Sequence, residues 1–151
     1  MIRDDIKAAL VVAMKARDTG STSAIRLIQA AIKNRDIELR TAANTPDDDT
    51  LVTEVLQKMI KQRRESIELY EKGNRQELAD AEKAEVAVIE RFLPAQMSAD
   101  EAQATIAAIV SEIGATSVKD MGRVMATLKE RHASALDMSK ASGWVKAALA
   151  G

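Results

Sequence analysis

Apolar residues recur at three- and four-residue intervals through most of this chain, and each stretch is bounded by residues that start or stop helices. The first stretch, Ile2 to Arg17, has Asp4 and Asp5 in its first turn and Lys15 and Arg17 in its last, both suited to the helix dipole. Gly20 is read as a break. The cluster Ser21-Thr22-Ser23 then opens a second helix reaching about Ala43, with Ile25, Ile28, Ile32 and Leu39 on one face. Thr45-Pro46-Asp47-Asp48-Asp49 reads as a polar turn. A third helix, about Leu51 to Lys72, carries the stripe Val52, Val55, Leu56, Met59, Ile60, Ile67 and Tyr70. Gly73 stops it. Asn74 with Glu77 predicts a capping box for a fourth helix over about Arg75 to Phe92, whose stripe is Leu78, Ala81, Val86, Val88, Ile89 and Phe92.

Pro94 ends that helix, because proline cannot donate a backbone hydrogen bond and disfavours helix at the residue before it. Beyond Pro94-Ala95-Gln96-Met97 the helices shorten and charge thins. Ser98 with Glu101 opens helix five, which Gly114 ends; Ser117 with Asp120 opens helix six, to about Arg131; helix seven covers about Ser139 to Ala150. The expectation is an all-α protein: a four-helix domain over 1–93, a linker over 94–97 and a three-helix tail domain over 98–151.

Composition narrows the function. The 151 residues include 27 alanines against 2 prolines, which reinforces the helical reading. No cysteine is present, so disulfides, thiolate metal sites and cysteine nucleophiles are excluded. Lys+Arg 22 against Asp+Glu 23 gives net −1, which disfavours a strongly basic DNA binder but leaves room for a local patch. Tyr70, Phe92 and Trp144 are the only aromatics, too few for a module that stacks successive bases. The N-terminus lacks a signal-peptide pattern and no apolar run approaches the ~20 residues of a spanning helix, so the expected setting is the cytoplasm, away from membranes.

Few residues suggest chemistry. Arg63 falls inside the apolar arc of helix three, and Glu82 and Glu85 inside that of helix four, so a structural ion pair between the two helices is expected. A carboxylate metal site is the alternative, but Glu82-x-x-Glu85 has no histidine partner, and no metal or cofactor is expected. The single histidine, His132, ends helix six, where an imidazolium suits exposed carbonyls. No nucleophile motif, phosphate loop or dinucleotide fingerprint occurs, so no catalytic residue is assigned. Lys61-Gln62-Arg63-Arg64 is interleaved with Glu54, Glu65, Glu68 and Glu71 and reads as a solvated face. Lys119 and Arg123 are expected one turn apart on the outer side of helix six. Gly122 beside them suits either a tight helix crossing or the close approach of a phosphate backbone.

These segments, taken in order, resemble the YqeY-like family. They are Lys61-Gln62-Arg63-Arg64-Glu65-Ser66-Ile67, Tyr70, Glu82-x-x-Glu85, Phe92-Leu93-Pro94-Ala95-Gln96-Met97-Ser98 and Lys119-Asp120-Met121-Gly122-Arg123-Val124-Met125. The tail is similar to the C-terminal domain of the B subunit of glutamine-dependent aminoacyl-tRNA amidotransferase. There the resembling tail engages tRNA and the transamidation chemistry lies elsewhere. The resemblance implies a non-catalytic tRNA-binding or amidotransferase-associated module, with tRNA and amidotransferase or tRNA-synthetase components as expected partners. The residues expected at RNA are Lys119, Gly122, Arg123, Lys129 and Lys140. Two other readings stand beside it: a small enzyme or activator linked to amidotransferase activity, and a protein–protein adaptor built on the four-helix part. The loop Ser134-Ala135-Leu136-Asp137 departs from the glycine-rich stretch the family commonly has before its Asp.

Overall fold

The computed structural model describes residues 1–133 and 135–150, with Ser139 by its backbone alone; Ser134, and with it part of the departing loop, lies outside the described residues. All secondary structure among these residues is helical. The chain divides into two compact units, Met1–Leu93 and Pro94–Gly151.

The first unit holds α1 (Ile2–Lys15), α2 (Thr19–Glu38), α3 (Asp48–Lys72) and α4 (Gln76–Glu90), with a short 3₁₀ turn at Leu39–Thr41. Its core gathers Ile6 from α1, Ile25, Ile28 and Ile32 from α2, Val52, Val55, Leu56, Met59 and Ile60 from α3, and Val86 and Ile89 from α4. On α4 the expected stripe holds at Val86 and Ile89, but Ala79 is buried where Ala81, expected in the stripe, is exposed.

Several boundaries differ from expectation: α2 ends at Glu38, short of Ala43, and passes into the 3₁₀ turn, and three others differ for local reasons. Gly20 does not break the chain; it lies in the first turn of α2. The break is Arg17, at φ 57°, and the cap is Asp18, whose carboxylate accepts from the Ser21 N–H at 3.0 Å and the Ser21 hydroxyl at 2.7 Å. The turn before α3 is shorter than expected, because Asp47 caps the helix by accepting from the Thr50 N–H at 3.1 Å, so Asp48 and Asp49 are already helical. Asn74 does not form the capping box. It takes the left-handed conformation at φ 57°, which asparagine tolerates, and Glu77 pairs with Arg75 instead.

The second unit holds α5 (Ala99–Ile113), a 3₁₀ turn (Val118–Asp120), α6 (Met121–His132) and α7 (Met138–Ala150). The Ser98 and Glu101 capping box forms in both directions, at 3.1 and 3.2 Å. Gly114 closes α5 at φ 68°, a conformation that a side chain would strain. The core is Ala102, Ile106 and Ile109 of α5, Val124 and Leu128 of α6, Leu136, and Ala141, Val145 and Leu149 of α7.

Candidate nucleic-acid interface

The corner between α5 and α6 is set by two charged side chains. The Asp120 carboxylate accepts from the backbone N–H groups of Thr116 at 2.9 Å and Ser117 at 3.3 Å, and these bonds hold it below the usual carboxylate range. Arg123 reaches back from the first turn of α6, and its Nη2 donates to the Ile113 carbonyl at 2.7 Å. That satisfies one of the carbonyls left open at the end of α5. Arg123 also lies 3.6 Å from Asp120 through Nη1.

This geometry changes the expected pairing of Lys119 with Arg123. Lys119 sits on the 3₁₀ turn before α6 and not on the helix itself. Lys119 is exposed and makes no ion pair among the described residues, whereas the Arg123 guanidinium is bonded to its own fold. Gly122 is exposed, and a Cβ there would meet no atom within 4 Å, so the tight helix crossing considered for it is not the reason for a glycine. Successive residues of a helix are 100° apart, which places Gly122, Ala126 and Lys129 on one outer strip of α6. Lys129 and Lys140 are exposed and make no ion pair among the described residues. Arg131 is not available: it binds Glu112 through two parallel hydrogen bonds of 2.7 and 2.8 Å. His132 is the half-buried last residue of α6.

In the first unit, Arg63 Nε donates to Glu85 Oε2 at 2.8 Å, and its Nη1 donates to the Met59 carbonyl at 3.3 Å. The side chains are 15% and 34% exposed, so the pair lies at the rim of the core. Glu82 is half-buried and makes no hydrogen bond or ion pair among the described residues. Arg64 of the basic run binds Glu90 at 3.2 Å. Among the described residues no three His, Cys, Asp or Glu side chains are grouped so as to hold a metal ion.

The most heavily bonded cation was missed in the sequence. Arg3 forks between Asp36 and Asp48, and so joins α1 to the last turn of α2 and the first of α3. The signal was present as a basic residue in the first turn of a helix, where the dipole favours acids. Among the described residues no helix is long and apolar enough to cross a membrane.

The chain matches the family described as Yqey-like protein over residues 3–149. It is similar to proteins named "Altered inheritance of mitochondria protein 41, mitochondrial" from three yeasts. Identity is 33% over 113 residues for Eremothecium gossypii (74% of this chain, 60% of that protein). It is 35% over 88 residues for Vanderwaltozyma polyspora (58% and 46%) and 31% over 102 residues for Lachancea thermotolerans (68% and 51%). The chain thus spans about half the length of these curated relatives.

Proposed function

Because this chain belongs to the Yqey-like family, we propose that it is a tRNA-handling module without chemistry of its own, working beside a glutamine-dependent amidotransferase. The observation that carries the RNA reading is the open strip around Gly122. A glycine in a helix lowers its stability relative to alanine, and a Cβ at Gly122 would meet no atom of the described residues within 4 Å. Lys119 precedes it and Lys129 follows it two turns on, both exposed and without an ion pair among the described residues. Such a strip lets a ribose–phosphate backbone lie against the helix while ammonium groups reach its phosphates. The tail is neutral, with six basic and six acidic residues over 98–151, so the attraction is local and its salt dependence shallow. Recognition would follow folded RNA shape. The relatives are named as mitochondrial, so the compartment proposed is the cytoplasm or the interior of a mitochondrion.

Fluorescence anisotropy with folded tRNA, against unstructured RNA, tests this. Lys119→Glu with Lys129→Glu should weaken tRNA binding about tenfold and leave the melt unchanged. Gly122→Ala should weaken binding while holding or raising stability. Arg123 is a poor probe, since its loss frees the Ile113 carbonyl. Equal binding by all variants removes this strip. Glutamine hydrolysis by the isolated protein would favour the enzyme reading instead.

The adaptor reading has its own observation. Val11, Val12 and Met14 of α1 are 50%, 66% and 51% exposed, an apolar surface suited to a protein partner. Cross-linking to purified amidotransferase tests it: contacts at Val12 would support association, and no cross-link at micromolar concentration would remove it.

A further inference from the structure

The outward face of α1 carries an ordered pattern: acids, then small and apolar residues, then a base. At 100° per residue, Asp4, Asp5, Val11, Val12 and Lys15 all lie within about 60° of Ala8. All six are exposed, whereas Ile6 and Ala13 on the opposite side enter the core. Val11 and Val12 are 50% and 66% exposed, and Met1 and Met14 at the margins are 66% and 51% exposed. Half of the large hydrophobic residues exposed among the described residues thus belong to this helix and its cap, a concentration that marks an interaction surface. The helix dipole accounts for acids at one end and a base at the other, but not for valines between them. Asp4, Asp5 and Lys15 make no ion pair among the described residues.

The pattern is self-complementary in one orientation. Asp4 precedes Ala8 by four residues, and Lys15 follows Val11 by four. A second α1 lying antiparallel, with its Val11 against Ala8, therefore brings its Lys15 against Asp4. A shift of one residue, with Val12 against Ala8, brings Lys15 against Asp5 instead. The twofold operation makes each contact twice. Ala8 has no side chain beyond Cβ, so it admits the opposing valines and lets the helix axes approach to about 8 Å. A parallel copy would set acids on acids.

We propose that this face docks a second copy of the chain, α1 against α1 antiparallel, through a centre of Ala8, Val11 and Val12 closed at each end by Asp4 and Asp5 against Lys15. About three turns of one helix present less than the roughly 800 Å² per partner of a standard interface, so the dimer is reversible, with Kd of about 10–100 µM. The proposal does not rest on the RNA reading, and it gives the α1 face a different partner from the amidotransferase.

Sedimentation velocity of the full-length chain from roughly 5 µM to 1 mM tests this, with circular dichroism melts at the dilute end confirming that each variant is folded. Wild type should pass from monomer to dimer across the range, and raising salt from roughly 50 to 500 mM should weaken the dimer about threefold. Val12→Glu should weaken it about tenfold and leave the melt unchanged, since Val12 is exposed. Lys15→Glu alone, or Asp4→Lys with Asp5→Lys, sets like charges at both ends and should weaken it about tenfold. All three changes together reverse both ends and should restore it to within about threefold of wild type. A chain that stays monomeric at roughly 1 mM, or a dimer indifferent to Val12→Glu, would overturn the interface. A dimer indifferent to salt, or a folded triple variant that associates no more tightly than its parents, would overturn the antiparallel pairing. A monomeric chain that still cross-links to amidotransferase at Val12 would keep the adaptor reading and refute this one.

Discussion

Arg3→Ala is expected to destabilise the protein by about 2–3 kcal/mol. The guanidinium places Nη1 and Nη2 at 2.9 and 3.1 Å from the two Asp36 oxygens. Its Nε lies 3.1 Å from each Asp48 oxygen, and Nη2 is 2.7 Å from Oδ1. A free surface pair contributes about 0–1 kcal/mol, and breaking a buried one costs about 3–5. Here Arg3 is 27% exposed, Asp48 31% and Asp36 41%, so water discounts the network without abolishing it. The fork raises it again, because a planar guanidinium held by two carboxylates loses little further freedom per bond. Its removal also leaves two carboxylates facing one another, since both accept from the same Nη2. Arg3→Lys should recover less than half of the loss. The pH dependence follows with a definite sign. The hydrogen bonds from Arg3 hold Asp48 below the usual carboxylate range. Near pH ~4 the unfolded chain therefore binds more protons, and this stabilisation is complete above about pH 4 and lost as pH falls through the folded value. In Arg3→Ala the facing carboxylates are pushed upward instead, so acid relieves the repulsion. Urea melts at several pH values should show the gap between wild type and variant widest at neutral pH and closing below about pH 4. A gap under about 0.5 kcal/mol at neutral pH, or one that does not change with acid, would refute the reasoning.

The Thr53 hydroxyl is buried at 1% exposure without a hydrogen-bond partner, so Thr53→Val should raise stability by about 1 kcal/mol in urea melts; a loss of that size would mean the hydroxyl is bonded in solution. Arg63→Ala should cost about 1–2 kcal/mol, less than a buried pair, because Glu85 at 34% exposure can rehydrate; a loss above about 3 kcal/mol would place the pair inside the core. Fragment 1–93 should melt cooperatively by circular dichroism, and fragment 94–151, at a length where a single core is marginal, should melt at lower temperature; a non-cooperative fragment 1–93 would show that the first unit depends on the second.

The helices were legible because they rest on repeated, local signals. Each buried stripe of α2 and α3 recurs over several turns, so one ambiguous residue does not displace it. Their ends rest on one or two residues and proved less readable. Ser21, Thr22 and Ser23 look like a cap, yet Asp18 is the better acceptor, being ionised, and it draws Ser21 into its own bonding. Gly73 does end α3, but Asn74, expected to cap α4, takes the left-handed position, and Arg75 opens that helix. In both cases the competitor lay within three residues of the chosen one, and backbone geometry decided between them. The Ser98 box and Gly114 had no such competitor and formed where expected.

The charged residues were harder to place, for a different reason. Periodicity says which side of a helix a lysine or arginine occupies, but not what its long side chain meets. Lys119 and Arg123 look equivalent in sequence. Only the position of Ile113, ten residues before Arg123, turns one of them into a helix-end donor and leaves the other free. Arg3 and Lys7 are likewise a single turn apart on α1, and partners 33 and 45 residues away claim the first alone. Arginine is taken in both cases, as its planar fork of five donors can serve two acceptors at once while a lysine holds a point charge on a flexible stem. The guanidinium groups are thus mostly spent within the fold, at Asp36, Asp48, Glu85, Glu90, Glu112 and the Ile113 carbonyl. Lysines Lys7, Lys33, Lys119, Lys129 and Lys140 stay exposed and make no ion pair among the described residues. In a chain of net charge −1, the cations available to an anionic partner are therefore lysines such as these, together with Arg17, Arg26 and Arg40, which are exposed and make no ion pair among the described residues. A compact ammonium that is already well hydrated suits phosphate or carboxylate ligands held loosely and released readily.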